Sequence, residues 1–318
     1  MERQDENRLQ HIELELDALR KEVAELRSAI RSLVEQRERL QHPLEAVLRQ
    51  RGLPILSRGH DNRFLPLPGT SAQKQSEFYR IMRRYSFRLF LRDLIQFPEG
   101  EGIAPLTRYC SPRTALNYLR LLESMGVVAV GAGSSYRFLP THIVSFGPTL
   151  EWYVNEILQR ELLAPSMFNL RLDHTRFGGD YDVMAIVSGY LIYIEVKSSP
   201  PRGVELPAVN AFLNRLRDLQ PQMAVFLVDT ELRMLDKMVP LFDESLRAQH
   251  GGESPWTIER IVDEIFQVGH SVFITNSRKG IYSNLRTCIR HGLHHRDNAR
   301  LPVGPSEGGT GGVWDASF

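Results

Sequence analysis

The chain has 318 residues, 42% of them hydrophobic and 24% charged, enough to bury the cores of about two domains and without the bias of a disordered protein. A formal net charge of +1 excludes a strong overall field toward nucleic acid or an anionic membrane, so any such attraction has to come from local patches. Cys110 and Cys288 form no CxxC unit, which argues against a thiolate zinc site or a disulfide scaffold and fits a reducing cytoplasm. The first residues are charged, and no run approaches the roughly 18 to 20 apolar residues of a membrane helix, so neither export nor membrane insertion is expected.

The opening segment places Leu9, Ile12, Leu16, Leu19, Val23, Leu26, Ile30, Leu33 and Leu40 at alternating spacings of three and four, interrupted only by Arg37. That is a coiled-coil seam, and Leu at most d positions predicts a parallel homodimer through residues 1–42. An amphipathic helix folded back on its own chain is the alternative. Residues 43–75 carry Pro43, Pro54, Pro66 and Pro68 with Gly52, Gly59 and Gly69 and no sustained periodicity, which predicts a linker.

Helical periodicity resumes over 77–96, followed by a glycine-bearing break and a short helix around 105–110. Ser111 and Pro112 make a good N-cap and first-turn pair for a helix over 113–125 that buries Leu116, Leu119 and Leu122 and stops at Gly126. Strands over 127–130 and 135–139 then flank Gly131, Ala132 and Gly133. In this order of elements the segment 76–142 resembles the winged helix-turn-helix family, over about 65 residues and without a signature motif. Residues 76–140 hold nine arginines against five acids. Arg113, Asn117 and Arg120 recur at helical spacing on the candidate recognition helix, and with Arg137 on the wing they are the candidate contacts to DNA. Such modules also serve as protein-docking surfaces, and arginine stripes are often solvated faces.

After Pro148 a helix over 149–163 carries Glu151 near its start, and the pattern then switches to strands. Two β-rich apolar runs, 180–187 and 190–197, are joined by Ser188-Gly189, a hairpin signal. With a two-residue turn there, Val187 faces Tyr190, and the register carried outward sets Asp182 against Glu195 and Asp180 against Lys197. Like charges directly opposite, with Cβ atoms about 5 Å apart, destabilise a sheet unless something positive lies between them. Glu195 and Lys197 share a face because side chains alternate along a strand. A salt bridge at a sheet end is the structural alternative, and Asp180 competes with Asp182, only the register favouring the latter.

Asp182 followed by Glu195-Val196-Lys197 at the end of an apolar strand resembles the PD-(D/E)XK superfamily of restriction-endonuclease-like proteins, as do the preceding acid-bearing helix, a helix over 206–219 and a buried strand over 224–229. Tyr181 stands where the family name places proline. The resemblance implies an α/β fold with a mixed central sheet flanked by helices over 143–295. It also implies that Asp182, Glu195 and the backbone carbonyl of Val196 hold Mg²⁺ or Mn²⁺, that Lys197 positions the nucleophile, and that Glu151 completes the shell. The implied activity is phosphodiester hydrolysis, DNA being the expected substrate and RNA not excluded. The rivals are a non-catalytic DNA-binding regulator and a scaffold using the same fold. His291, His294 and His295 are expected in a solvated basic stretch, and 296–318 as a flexible glycine-rich tail. No GxxxxGK[ST] motif occurs.

Overall fold

The structure is a computed structural model that describes residues 15–33, 42–59 and 63–294. Residues 15–33 form a helix, α1. Its Leu16, Leu19, Val23, Leu26, Ile30 and Leu33 are all exposed, Leu33 at 64%. The outer seam positions Leu9, Ile12 and Leu40, together with His295 and the expected tail, lie outside the described residues.

The expectation of a linker over 43–75 is corrected. Pro43 stands in the first turn of α2 (Pro43–Gln50), where a missing N–H costs nothing, and Leu44 and Leu48, one turn apart, are fully buried. β1 (Ile55–Arg58) then joins the main sheet. Farther along, Leu65 is fully buried, and its N–H donates to Thr149 Oγ1 at 3.0 Å. The prolines here start elements instead of keeping the chain apart.

The helical run expected over 77–96 is two helices, α3 (Ala72–Met82) and α4 (Tyr85–Gln96). The break has a tertiary cause: Arg88 Nη1, buried, donates to the carbonyls of Met82 (2.7 Å) and Arg83 (3.3 Å), occupying the end of α3. β2 (Glu99–Gly100) and a single 3-10 turn over Ala104–Leu106 follow, the turn standing where a short helix around 105–110 is expected. Next comes α5 (Pro112–Ser124), where the Ser111 hydroxyl accepts the Thr114 N–H at 3.2 Å. This helix buries Ala115, Tyr118, Leu119 and Leu122, while Leu116 is only half-buried. β3 (Val128–Val130) and β4 (Tyr136–Phe138) complete an antiparallel sheet in the order β2-β4-β3.

The main sheet has eight strands. After α6 (Gly147–Glu161) come β5 (Ser166–Leu172), β6 (Asp180–Val187), β7 (Tyr190–Lys197), α7 (Leu206–Leu219) and β8 (Met223–Val228). The chain continues through α8 (Met238–Gln249), β9 (Ile258–Val262), β10 (Ile265–Val268), β11 (Val272–Asn276) and α9 (Ile281–His294). The order is β1-β5-β6-β7-β8-β11-β10-β9, with parallel pairs at β7–β8 and β8–β11 and antiparallel pairs elsewhere, so the sheet is mixed. α6 and α9 pack on one face, and α2, α7 and α8 on the other. His291 corrects the expectation of a solvated stretch: it lies in α9 with Nε2 3.0 Å from Gln267 Oε1 and its ring edge-on to Phe273.

The α3–α5 layer is not an independent lobe. Phe78 and Phe87 share one apolar core with Trp152, Ile194 and Val225, and the Phe78 and Trp152 ring centroids are 5.6 Å apart. No helix among the described residues is long and apolar enough to cross a membrane.

Candidate active site

The hairpin of β6 and β7 turns at Ser188 and Gly189, both with positive φ (52° and 81°), the backbone that a two-residue turn between twisted strands requires. The ladder runs from Val187 opposite Tyr190 to Val183 opposite Ile194. Beyond that pair the strands separate. The N–H of Val196, which a continued ladder would direct at the β6 backbone, is taken at 2.7 Å by Asp182 Oδ2. In a strand the N–H and C=O of one residue point the same way, so the Val196 carbonyl faces the gap that holds Asp182.

Glu195 is 1% exposed, and donors surround it. Lys197 Nζ lies 2.6 Å from Oε1, Arg215 Nη1 lies 3.1 and 3.0 Å from the two oxygens, and the Tyr193 hydroxyl donates to Oε2. Tyr193, Glu195 and Lys197 share a face by alternation, and Arg215 reaches them from α7. The guanidinium passes close over Gly179, where a Cβ would lie 2.9 Å from Nη2 and where φ is +95°. Both facts make glycine the fitting residue at that position.

Glu151 stands one turn into α6, half-buried, with no hydrogen bond or ion pair among the described residues. Burial, then the charges of Glu195 and Asp180, push its carboxyl up to about 7 against the pull of Lys197. Burial, then Glu195 and Glu151, hold Asp182 well above the ordinary carboxylate range, opposed by Lys197 and the Val196 N–H. Burial works against the Lys197 charge, yet Glu195 and Asp182 hold the ammonium above its usual value. The structure therefore brings Asp182, Glu195, Lys197 and Glu151 into one electrostatic cluster. Asp180 is turned aside and paired with Arg171 of β5, both half-exposed or more. Arg113, Asn117 and Arg120 are exposed on α5 and Arg137 is exposed on β4, 3.9 Å from Glu99, all four on the other layer of the molecule.

Among the described residues no group of three His, Cys, Asp or Glu is close enough to cage a metal ion. The donor chemistry nevertheless fits a hard divalent cation at the gap. Asp182 and Glu151 are carboxylates that repel one another, and the Val196 carbonyl adds a third oxygen. Glu195 joins such a set only by releasing Lys197 or Arg215, which already neutralise it.

The Glu151 shift makes stability depend on pH. Its folded-state carboxyl holds the proton more tightly than the unfolded chain does, so stability falls as pH rises from about 4.5 to about 7 and stays at the lower level above. The shift corresponds to about 3 kcal/mol before screening by solvent. Glu151→Gln is therefore expected to raise the melting temperature in EDTA by about 5 °C at pH 8 and to leave it nearly unchanged at pH 5, with Mn²⁺ stabilising the parent chain at pH 8. An equal shift at both pH values would rule out the titration.

These features define a mixed α/β protein with a large central sheet flanked by helices, its ionisable cluster lying where two central strands part. The sequence matches no known protein family and no curated protein. Solved structures similar to it include protein VC1899 from Vibrio cholerae, at 16% identity and a TM-score of 0.37, covering 57% of each chain. Another is Can2 from Sulfobacillus thermosulfidooxidans in complex with cyclic tetra-adenylate, at 12% identity and a TM-score of 0.40, covering 77% of this chain and 61% of that one. This chain thus spans less than two thirds of either protein, and superpositions this loose carry no functional argument.

Proposed function

We propose that the chain is a divalent-metal-dependent nuclease of the PD-(D/E)XK type, hydrolysing phosphodiester bonds in DNA. The observation that carries this reading is the gap between β6 and β7, where Asp182, Glu195, Lys197 and Glu151 are drawn together around the Val196 backbone. Such a concentration of raised carboxyls beside a lysine gains nothing for stability and suits a site that binds a cation and a phosphate. Asp182, Glu195 and the Val196 carbonyl are the ligands assigned to Mg²⁺ or Mn²⁺, with Glu151 completing the set. When bound, the cation supplies a Lewis acid for the scissile phosphate and an acidified water. Lys197 keeps its proton on Nζ and offers positive charge to the phosphate as negative charge develops. Arg215 and Tyr193 hold the Glu195 carboxylate in place.

In this reading the α3–α5 layer with β3 and β4 acts as a winged helix. Arg113, Asn117 and Arg120 on α5 and Arg137 on the wing contact the duplex. The exposed apolar stripe of α1 pairs two chains through a coiled coil, placing two reaction centres in one assembly. Leu26→Pro is expected to reduce the mass in solution from twice the chain mass to the 36.5 kDa of one chain. An unchanged mass would place the dimer contact elsewhere.

The nuclease reading is tested on plasmid DNA, single-stranded DNA and RNA in Mg²⁺, Mn²⁺ or EDTA, with Lys197→Ala beside the parent chain. Cutting is expected with a cation, absent in EDTA and lost in the variant. Equal cutting by both proteins would assign it to a contaminant. One observation favours a second reading, a non-catalytic nucleic-acid-binding regulator: Glu195 is already neutralised by Lys197 and Arg215 without a cation. Intact nucleic-acid binding with no cutting in any cation would decide for it.

A further inference from the structure

A cleft of about 810 Å³ lies between α4 and the segments that leave the carboxyl ends of β7 and β8. In open α/β sheets, ligands bind in the crevice beyond those strand ends. The cleft is continuous with the reaction centre, since Ser198 on its wall follows Lys197 directly. A Cβ on Gly147 would stand 3.9 Å from both Ser198 Oγ and Glu151 Oε1, so only a glycine separates the cleft wall from the catalytic acid.

Its lining has the chemistry of a nucleotide. Arg108 and Arg202 are exposed at the rim, and Arg92 is held in place by a hydrogen bond from its guanidinium to the Ser198 carbonyl. Tyr109, 43% exposed, offers a ring face with the Arg108 guanidinium 5.1 Å from its centroid. Against these cations stand Glu231 at the rim and Asp93 deeper in. Asp93 is only 7% exposed, and its Oδ2 is buried with no hydrogen-bond partner among the described residues. An acceptor left in that state is costly unless a donor arrives with the ligand. Burial pushes the Asp93 carboxyl up, and Arg108 and Arg92 pull it back.

We infer that this cleft holds an unpaired nucleotide beside the scissile phosphate, with Arg108 and Arg202 on its phosphates, Tyr109 stacked on its base and Asp93 accepting the base's exocyclic amino group. The inference rests on the nuclease reading for the place of the scissile bond. A paired base cannot present its edge to a carboxylate this deep, whereas an unstacked one can. Cytosine offers Asp93 an amino donor, and thymine offers an acceptor that it repels.

The test measures binding alone, by fluorescence anisotropy of the full chain in EDTA, with short fluorescein-labelled oligo-dC, oligo-dT, oligo-rC and a DNA duplex. The parent chain is expected to bind oligo-dC about tenfold more tightly than oligo-dT, and Asp93→Asn to erase that preference. Arg108→Glu with Arg202→Glu is expected to weaken single-strand binding about tenfold or more while duplex binding is unchanged. Oligo-rC bound as tightly as oligo-dC would extend the same cleft to RNA. Single strands left unbound, or bound alike by the parent and these variants, would overturn the inference. A chain that shows the expected pattern but cuts nothing keeps the cleft and loses the nuclease; one that cuts with indifferent binding does the reverse.

Discussion

Lys197→Ala is expected to slow cleavage by about 10²- to 10³-fold, the usual cost of removing one preorganised group that stabilises developing charge. The ammonium lies 2.6 Å from Glu195 Oε1 and keeps 28% of its side chain exposed, so it can face a phosphate without leaving its carboxylate. Its raised pKa keeps it charged throughout the working pH range. Removing it also withdraws a charge that favours the ionised forms of Asp182 and Glu151, so their carboxyls should rise further. Residual activity should then require higher pH than the parent chain, a displacement that a merely structural lysine would not cause. Affinity for nucleic acid should change little, because one phosphate contact among many is lost. Cutting by the variant at the parent rate, with an unmoved pH profile, would remove Lys197 from the chemistry.

Replacing either member of the Arg88–Asp229 pair with alanine should cost about 3 to 5 kcal/mol, the range for leaving a buried charge without its partner. Arg88 is 1% exposed and Asp229 not at all; Arg88 Nε lies 3.0 Å from both carboxylate oxygens and Nη2 lies 2.9 Å from Oδ1. The same guanidinium occupies the end of α3, so Arg88→Ala also frees the carbonyls of Met82 and Arg83. Asp229 in turn donates its backbone N–H to the Lys197 carbonyl at 2.8 Å, tying the pair to the reaction centre. Chemical denaturation measures the loss. The double replacement Arg88→Met with Asp229→Leu should cost much less than the two alanine losses together, because no charge is left stranded. Losses that simply add would mean that the two residues act separately.

The core of the site was legible because a two-residue turn fixes register. Once Ser188 and Gly189 were read as the reversal, the facing of Asp182 and Glu195 followed from counting. The choice between Asp180 and Asp182 needed the third dimension, since it depends on Arg171 in a strand, β5, that the pattern did not reveal. Arg215 was illegible for a related reason. α7 offers Arg215 and Arg217 alike, and only the path of the helix over Gly179 selects the first. Tyr193 could have been found, being two residues before Glu195 on the same face, but in sequence it reads as one more apolar strand residue. The linker reading failed because Pro43 and Pro54 carry the same signal whether they begin an element or prevent one. The division of 77–96 into two helices rests on Arg88, whose reason for burial lies 141 residues away in Asp229.

The common apolar core and the buried arginine leave the helical layer no freedom to swivel against the sheet. A duplex seated on α5 would therefore meet the strand gap at one fixed offset, and the protein would behave as a ruler. Its products should end at a constant number of nucleotides from the bound segment, whatever sequence lies between.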